Sequence, residues 1–231
     1  FFYFVRILRH HRTPYILLEN VKQLVGHDKG RTFRIIQDRL AALGYHVKWK
    51  VLNALDFGLP QKRERVIIVG FQDIEDWNKF DFNFTPQKYD LANILEKDED
   101  VEKTLFISEH IREKRMKQTF GKNIFYPSIW HENKSGNVSI LDYSCALRTG
   151  ASYNYLLVNG IRRPTSRELL RLQGFPEEFA IVVSHQDIRR QTGNSVAVPM
   201  IRMVARKIDE IIKCKENETS KAKGFKKVAD I

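Results

Sequence analysis

The sequence predicts an α/β fold, because amphipathic helices alternate with short apolar strands along its first part. Apolar residues recur every three or four positions through residues 32–43, as in a helix with one buried face, and Gly44 can end that helix. Residues 46–51 alternate apolar and polar side chains, which is typical of a half-buried strand. Residues 15–21 and 65–71 are short apolar runs of strand length. Helices that alternate with such strands indicate a layered sheet.

Three further helices are predicted from local signals. Residues 1–11 form an amphipathic pattern that stops before Pro14, and because no capping residue precedes this helix we expect the sequence to begin inside a longer protein. Thr165 and Glu168 have capping-box spacing ahead of a leucine-rich segment that a glycine can end. Residues 198–213 place isoleucine and valine side chains on one helical face.

The middle and the end of the chain have a different character. Residues 72–163 combine scattered aromatic residues, several Asn and Gly, and an acidic run at 96–102 without a sustained period, so they are predicted to form a separate, irregular module. The segment from Lys215 onward is polar and rich in lysine, and is predicted to be a disordered tail.

Composition narrows the class of protein. The net charge of +11 is uneven, at +8 over residues 1–71, −1 over 72–163 and +4 over 164–231, so a polyanionic partner is expected at the two ends. The two cysteines, Cys145 and Cys214, are too far apart for a CxxC site or a disulfide framework, and a reducing cytoplasm fits them. The histidines have no paired metal-ligand spacing, so no metal is assigned. No apolar run is long enough for a membrane span, which predicts a soluble protein.

Candidate functional residues lie at the ends of the predicted strands. Glu19 and Asn20 end one strand, where open α/β sheets place ligand-handling groups, although a solvated strand end is the alternative. Arg63 and Arg65 alternate just before an apolar strand and are expected to project to one side, where guanidinium groups bind phosphate or a base edge. The alternative is a basic turn that is merely solvated. Gln61 adds an amide that donates and accepts hydrogen bonds.

A glycine-containing turn precedes the helix predicted at residues 198–213. Gly193, Asn194 and Ser195 lie in this turn, so Asn194 or Ser195 could cap the helix while backbone amides face a ligand. A plain helix cap is the alternative.

Four segments, taken in order, resemble the DNA cytosine C5-methyltransferase family. They are ENVKQLVGHDKG, VLNALDFGLPQKRERVIIVGF, RRPTSRELLRLQGFPEEF and QTGNSVAVPM. The resemblance covers residues 1–71 and about 145–213. It implies the C-terminal part of a Rossmann-like sheet of an S-adenosylmethionine-dependent methyltransferase, of the bacterial restriction-modification type.

The resemblance also implies a domain organisation. Residues 1–71 would be the C-terminal half of the catalytic α/β domain, and residues 72–163 a small, irregular, mostly β target-recognition domain. Residues 164–213 would be a helical segment that returns to the catalytic domain, followed by the basic tail at 214–231.

The family's reaction, as the resemblance implies it, begins when cytosine is flipped out of the duplex. A cysteine thiolate adds to C6, and C5 then takes the methyl group of S-adenosylmethionine. Glu19 would hydrogen-bond the cytosine N3 and its exocyclic amine, and Arg65 would contact O2. Arg63 would support the loop that carries the nucleophile.

Four more residues match supporting positions of the family. Gln61 would help to shape the nucleophile loop and Asn20 would fix the local backbone, while Asn194 and Ser195 would close over S-adenosylmethionine. The family's glycine-rich motif, acidic ribose-binding residue and Pro-Cys nucleophile belong upstream of the ENV segment and are not found here. Neither cysteine of the chain matches the nucleophile, so the chain alone is expected to be inactive.

The expected partners are double-stranded DNA, a complementary N-terminal methyltransferase part and a cognate restriction endonuclease. The expected location is the bacterial cytoplasm, at the nucleoid through DNA. One alternative is a noncatalytic DNA-binding or regulatory remnant, and the other is a transfer-RNA cytosine methyltransferase of the same superfamily, although its Cys-Phe-Thr signature is not found.

The target DNA sequence cannot be read from residues 72–163, because base contacts depend on which loop tips reach the major groove. A basic cluster could hold phosphate or contact guanine, or could be a solvated helix face; it consists of Arg112, Lys114, Arg115 and Lys117. The acidic run at 96–102 is expected to face away from DNA.

Overall fold

The computed structural model describes residues 1–229, with side chains through residue 218. The chain divides into two units. Unit 1 comprises Phe1–Leu52, Glu64–Phe84 and Ile201–Ile231, and unit 2 comprises Asn53–Arg63 and Thr85–Met200. Within the described residues no helix is long and apolar enough to cross a membrane.

The regular elements are named in chain order. The helices are α1 (Phe2–His11), α2 (Arg31–Ala41), α3 (Ile74–Lys79), α4 (Glu109–Gln118), α5 (Ser166–Gln173), α6 (His185–Asn194) and α7 (Val198–Ala229). The strands are β1 (Tyr15–Val21), β2 (His46–Asn53), β3 (Gln61–Lys62), β4 (Glu64–Phe71), β5 (Ile129–Glu132), β6 (Val138–Leu141), β7 (Ser144–Cys145) and β8 (Leu156–Val158).

Unit 1 contains a three-stranded sheet in the order β1-β4-β2, with β4 antiparallel to β1. The β-branched residues 66–69 of β4 are at most 2% exposed, as expected for a strand that is covered on both faces. Leu8 of α1 and Phe33 and Leu40 of α2 pack in one cluster with Val66 of this strand. The helices and strands predicted for residues 1–71 are therefore confirmed, with small shifts in their ends.

Helix α7 corrects the prediction for the end of the chain. It begins at Val198, as predicted, but continues through Ala229 instead of ending near Lys213. Within unit 1 the Lys215 ammonium donates to the carboxylates of Asp73 and Asp76, and Asp76 is buried. Because a buried carboxylate needs a partner charge, this contact anchors the helix at Lys215, the residue where the disordered tail was predicted to begin. Residues 230–231 of that predicted tail lie outside the described residues.

Unit 2 is built on short strands, with β5 antiparallel to both β6 and β8, and β3 parallel to β7. Its core joins side chains of β5 and β8 to side chains of α5 and α6: Ile129, Leu156, Val158, Leu169, Leu172 and Ile188. Helices α5 and α6 therefore group with the middle of the chain. The leucines of α5 are buried with side chains of β5 and β8, and the domain boundaries at residues 71 and 164 stay a prediction.

The ends of α5 follow the predicted signals. Thr165 and Glu168 form both hydrogen bonds of a capping box, and Gly174 ends the helix with a φ of 76°. A β-carbon on Gly174 would overlap the ring of Pro199.

Replacing Gly174 with alanine is expected to lower the free energy of unfolding of unit 2 by roughly 2–4 kcal/mol, because left-handed strain and a steric overlap add. The measurement is urea-induced unfolding. Gly150→Ala is the matched control, since a β-carbon there meets nothing within 4 Å, and its effect should stay within about 0.5 kcal/mol. Equal effects of the two substitutions would contradict the prediction.

Candidate active site

A half-buried ion pair lies at the end of the unit 1 sheet. Antiparallel pairing sets Glu19 opposite Ile67, so Arg65, two residues before Ile67, lies diagonally across on the same face. The Arg65 Nε is 2.9 Å from the Glu19 Oε1, and these side chains are 13% and 25% exposed. The guanidinium also donates to the Glu64 carbonyl at 2.9 Å. The pair therefore holds a carboxylate and a guanidinium at a fixed separation, with part of each still reachable by a ligand.

A second ion pair lies close by on the same two segments of chain. The Lys22 Nζ is 2.9 Å from both carboxylate oxygens of Glu64. Because Glu64 and Arg65 are neighbours on one strand, their side chains point to opposite faces. This pair is more exposed, at 49% and 34%, and is an ordinary surface ion pair.

Asn20 lies beside Glu19 and acts on the backbone. Its Oδ1 accepts a hydrogen bond from the Val21 amide at 2.8 Å, in an exposed position. This contact can fix the chain where β1 ends, which is compatible with the supporting role predicted for Asn20.

Arg63 does not share the surroundings of Arg65. It is 2% exposed, and its guanidinium donates to the carbonyl oxygens of Gly193 and Ser195, all within unit 2. Its backbone amide donates to the Asn53 Oδ1 at 3.1 Å. The expectation that both arginines present their guanidiniums together is corrected, because the strand begins only at Glu64 and carbonyls occupy the Arg63 donors.

Gln61 is fully buried and joins three parts of unit 2. Its Nε2 donates to the Leu172 carbonyl at 2.7 Å, and its Oε1 accepts from the Leu147 amide at 3.4 Å. Both halves of the amide are used, as the sequence suggested, and the bonds connect β3 to the end of α5 and to the segment after β7. Asn53, which accepts from both Leu55 and Arg63, was missed by the sequence reasoning, although Asn before a tight turn is a common signal.

Asn194 and Ser195 end a helix and do not begin one. Asn194 is the last residue of α6 and is exposed, whereas the Ser195 hydroxyl donates to the Thr192 carbonyl at 2.9 Å. Because α7 begins at Val198, the residue preceding it is Ala197, and the possibility that Asn194 or Ser195 caps that helix is wrong. Of the two, Asn194 keeps a side chain that can reach a ligand.

The two cysteines differ in their surroundings. Burial raises the pKa of the Cys145 thiol to about 12, so this sulfur is protonated at neutral pH. Cys214 is exposed on α7. Among the described side chains no group of three or more His, Cys, Asp and Glu could hold a metal ion.

The predicted basic cluster of the middle region divides into surface and buried members. Arg112, Lys114 and Lys117 are exposed on α4. Arg115 is 3% exposed and donates to the Glu132 carboxylate at 2.6 Å, which lowers the pKa of Glu132. Arg115 is thus a structural residue, and only the other three are positioned to meet a polyanion.

The model of the C-5 cytosine-specific DNA methylase family matches residues 1–210. The chain belongs to that family. It is also 53% identical over 208 residues to the Type II methyltransferase M.HaeII of Haemophilus aegyptius, covering 89% of this chain and 64% of that protein. It is 52% identical over 215 residues to M.NgoBI of Neisseria gonorrhoeae, covering 92% and 66%. The chain therefore spans just under two thirds of the length of these curated relatives.

Solved structures of other proteins show the same fold as this chain. The S. pombe Dnmt2 methyltransferase superposes with a TM-score of 0.63 at 19% identity, over 90% of this chain and 71% of that one. The Entamoeba histolytica methyltransferase EhMeth has a TM-score of 0.64 at 15% identity, over 86% and 63%. The fold is thus that of methyltransferases with mixed α/β content.

Proposed function

We propose that this chain supplies the electrostatic part of the active site and the target recognition of a DNA cytosine C5-methyltransferase of a restriction-modification system. The observation that carries the proposal is the Glu19–Arg65 pair, held across two strands at 2.9 Å. In this role Glu19 accepts hydrogen bonds from the exocyclic amine of a flipped cytosine and from N3, which carries a proton in the activated ring, and Arg65 donates to O2. Unit 1 would be part of a Rossmann-like sheet, and unit 2 would include the target-recognition domain.

The methyl donor proposed for the site is S-adenosylmethionine, which supplies the methyl group that C5 takes up. Asn194 fits a contact to it, because its amide is exposed where α6 ends. The Ser195 hydroxyl is already bonded to the Thr192 carbonyl, so Ser195 fits this role through its backbone only. Arg63 holds this turn through the Ser195 carbonyl and is a positioning residue.

The thiolate of the reaction would come from another polypeptide segment. Cys145 is held as a buried thiol, and a nucleophile must be an accessible thiolate. The complementary polypeptide would pair with β1, because this strand lies at an edge of its sheet and has a mostly apolar sequence. Long apolar edge strands tend to pair with another chain. Since the proposed function is that of a restriction-modification system, we also propose a cognate restriction endonuclease as a partner. The proposed location is the bacterial nucleoid.

The chain alone is expected to give no methyl transfer, and mixing it with a polypeptide that carries the family's glycine-rich and Pro-Cys motifs is expected to restore transfer. Incorporation of labelled methyl from S-adenosylmethionine into duplex DNA measures this. The control is the same polypeptide with its cysteine replaced by serine. Continued inactivity of a complex that has been shown to form and to be folded would overturn the proposal.

A further inference from the structure

Unit 2 contains a cleft of ≈ 660 Å³ that the sequence reasoning did not identify. It lies between the turn that joins β5 to β6 and the loop that follows β7. Its lining includes Asn133 and Lys134 from the first segment and Arg148 and Thr149 from the second, with Tyr155 and Gly193 beneath. Polar side chains from two separate segments thus converge on one concave surface, which is typical of a recognition site.

Arg148 is the unusual side chain of this cleft. Its guanidinium carbon lies 5.0 Å from the centre of the Tyr155 ring, and its Nη2 lies 3.5 Å from the His131 Nε2. Its Nε is buried without a hydrogen-bond partner, and no carboxylate forms an ion pair with Arg148 among the side chains through residue 218. Arg115 and Arg162, also in unit 2, each have carboxylate partners.

The groups around Arg148 do not offset its charge. Burial and the nearby guanidinium lower the pKa of His131, and burial raises the pKa of Tyr155 to about 12, so both are neutral at neutral pH. The carboxylate of Glu132 lines the same cleft but is bonded to Arg115. A partly buried cation without an anion is costly, so the site favours a ligand that brings hydrogen-bond acceptors.

The loop that carries Arg148 is closely supported. A β-carbon on Gly193 would lie 2.9 Å from the Thr149 amide nitrogen, so the loop backbone packs directly on α6 at this glycine. The Gly193 carbonyl is in turn held by Arg63. The guanidinium is therefore oriented before any ligand arrives, by its loop on one side and by the Tyr155 ring on the other.

We propose that Arg148 reads a guanine of the target duplex through its major-groove N7 and O6 atoms. This rests on the proposed function, in that the chain acts on duplex DNA. A planar guanidinium matches the two guanine acceptors as a fork, and a fixed orientation is what base reading requires. A phosphate contact needs only an exposed, mobile cation, and Lys134 on the neighbouring turn meets that need.

The test selects bound sequences from a pool of short duplexes with a randomised centre, using the full chain at one fixed salt concentration. Wild type is expected to enrich a guanine at one position. Arg148→Ala is expected to lose that preference by roughly 5- to 150-fold, while its average affinity for other sequences changes little. Arg190→Ala, which removes an exposed arginine of the same unit to which no DNA contact is assigned, should keep the preference.

Two further variations keep the test decisive. Arg148→Lys keeps the charge without the fork and should also lose the preference, and thermal unfolding checks that both variants are folded. Placing 7-deazaguanine at the selected position should weaken wild type but not Arg148→Ala, because it removes N7. A retained preference in Arg148→Ala, a uniform loss of affinity, or duplex binding by wild type without any preference would each overturn the role of Arg148. Absence of all duplex binding would instead count against the proposed function.

Discussion

Replacing Glu19 with glutamine is expected to lower the rate of methyl transfer by the assembled enzyme roughly 10²- to 10³-fold. The substitution keeps the shape of the side chain but removes the carboxylate charge that faces the cytosine edge in the proposed mechanism. Arg65 would remain in place through its bond to the Glu64 carbonyl. The loss should therefore appear in the methyl-transfer step, measured by single-turnover transfer with saturating duplex, and not in the affinity for DNA.

Glu64→Gln is the matched control for this substitution. It removes a carboxylate from the neighbouring segment of the same sheet, on the opposite face, and breaks an ion pair of the same length with Lys22. Because that pair is largely solvated, the rate of transfer should change by no more than about threefold. If both variants lost activity equally, net charge near the strand ends would explain the effect and the specific role of Glu19 would be wrong.

Elements with a local signal were predictable from the sequence. The ends of α5 follow from the Thr165 and Glu168 capping box and from Gly174, and the buried β4 follows from its β-branched run. The grouping of elements was not predictable in the same way. An amphipathic pattern predicts that one face of α5 is buried, but it does not predict which element covers that face. That depends on contacts between residues far apart in sequence.

The residues of the candidate site also differ in whether the sequence could predict them. Glu19 and Arg65 were each predicted as candidates because they lie at the ends of strands. The antiparallel register, which the structure shows, brings the two side chains together. Arg63 has the same spacing signal, but its donors are taken by backbone carbonyls. Arg148 was missed because a single arginine in an irregular segment has no periodic or motif signal. Its isolation from carboxylates is visible only once the side chains of unit 2, as far as the structure describes them, are placed.

Replacing Glu168 with glutamine is expected to cause the largest loss of stability, about 3–5 kcal/mol in unit 2. Glu168 and Arg162 are each 1% exposed, and two guanidinium nitrogens donate to the two carboxylate oxygens at 2.8 and 2.9 Å. The carboxylate also accepts from the amides of Thr165 and Glu96 at 2.8 Å. Glutamine keeps an oxygen for the capping box, but among the described side chains it leaves Asp98, which is 42% exposed, as the carboxylate partner of the buried guanidinium.

The measurement is amide hydrogen exchange of α5 and β8, which gives the free energy of opening within unit 2. Glu177→Gln is the control, because Glu177 forms a similar two-oxygen contact with Arg171 but is 57% exposed, so that its loss should cost less than about 1 kcal/mol. The difference between the two variants measures what burial and the additional amide hydrogen bonds of Glu168 contribute, since both substitutions break a two-oxygen contact with an arginine. Equal costs would mean that water reaches Arg162 when its partner is neutral, and that the apolar core of unit 2, not this ion pair, holds α5 against β8.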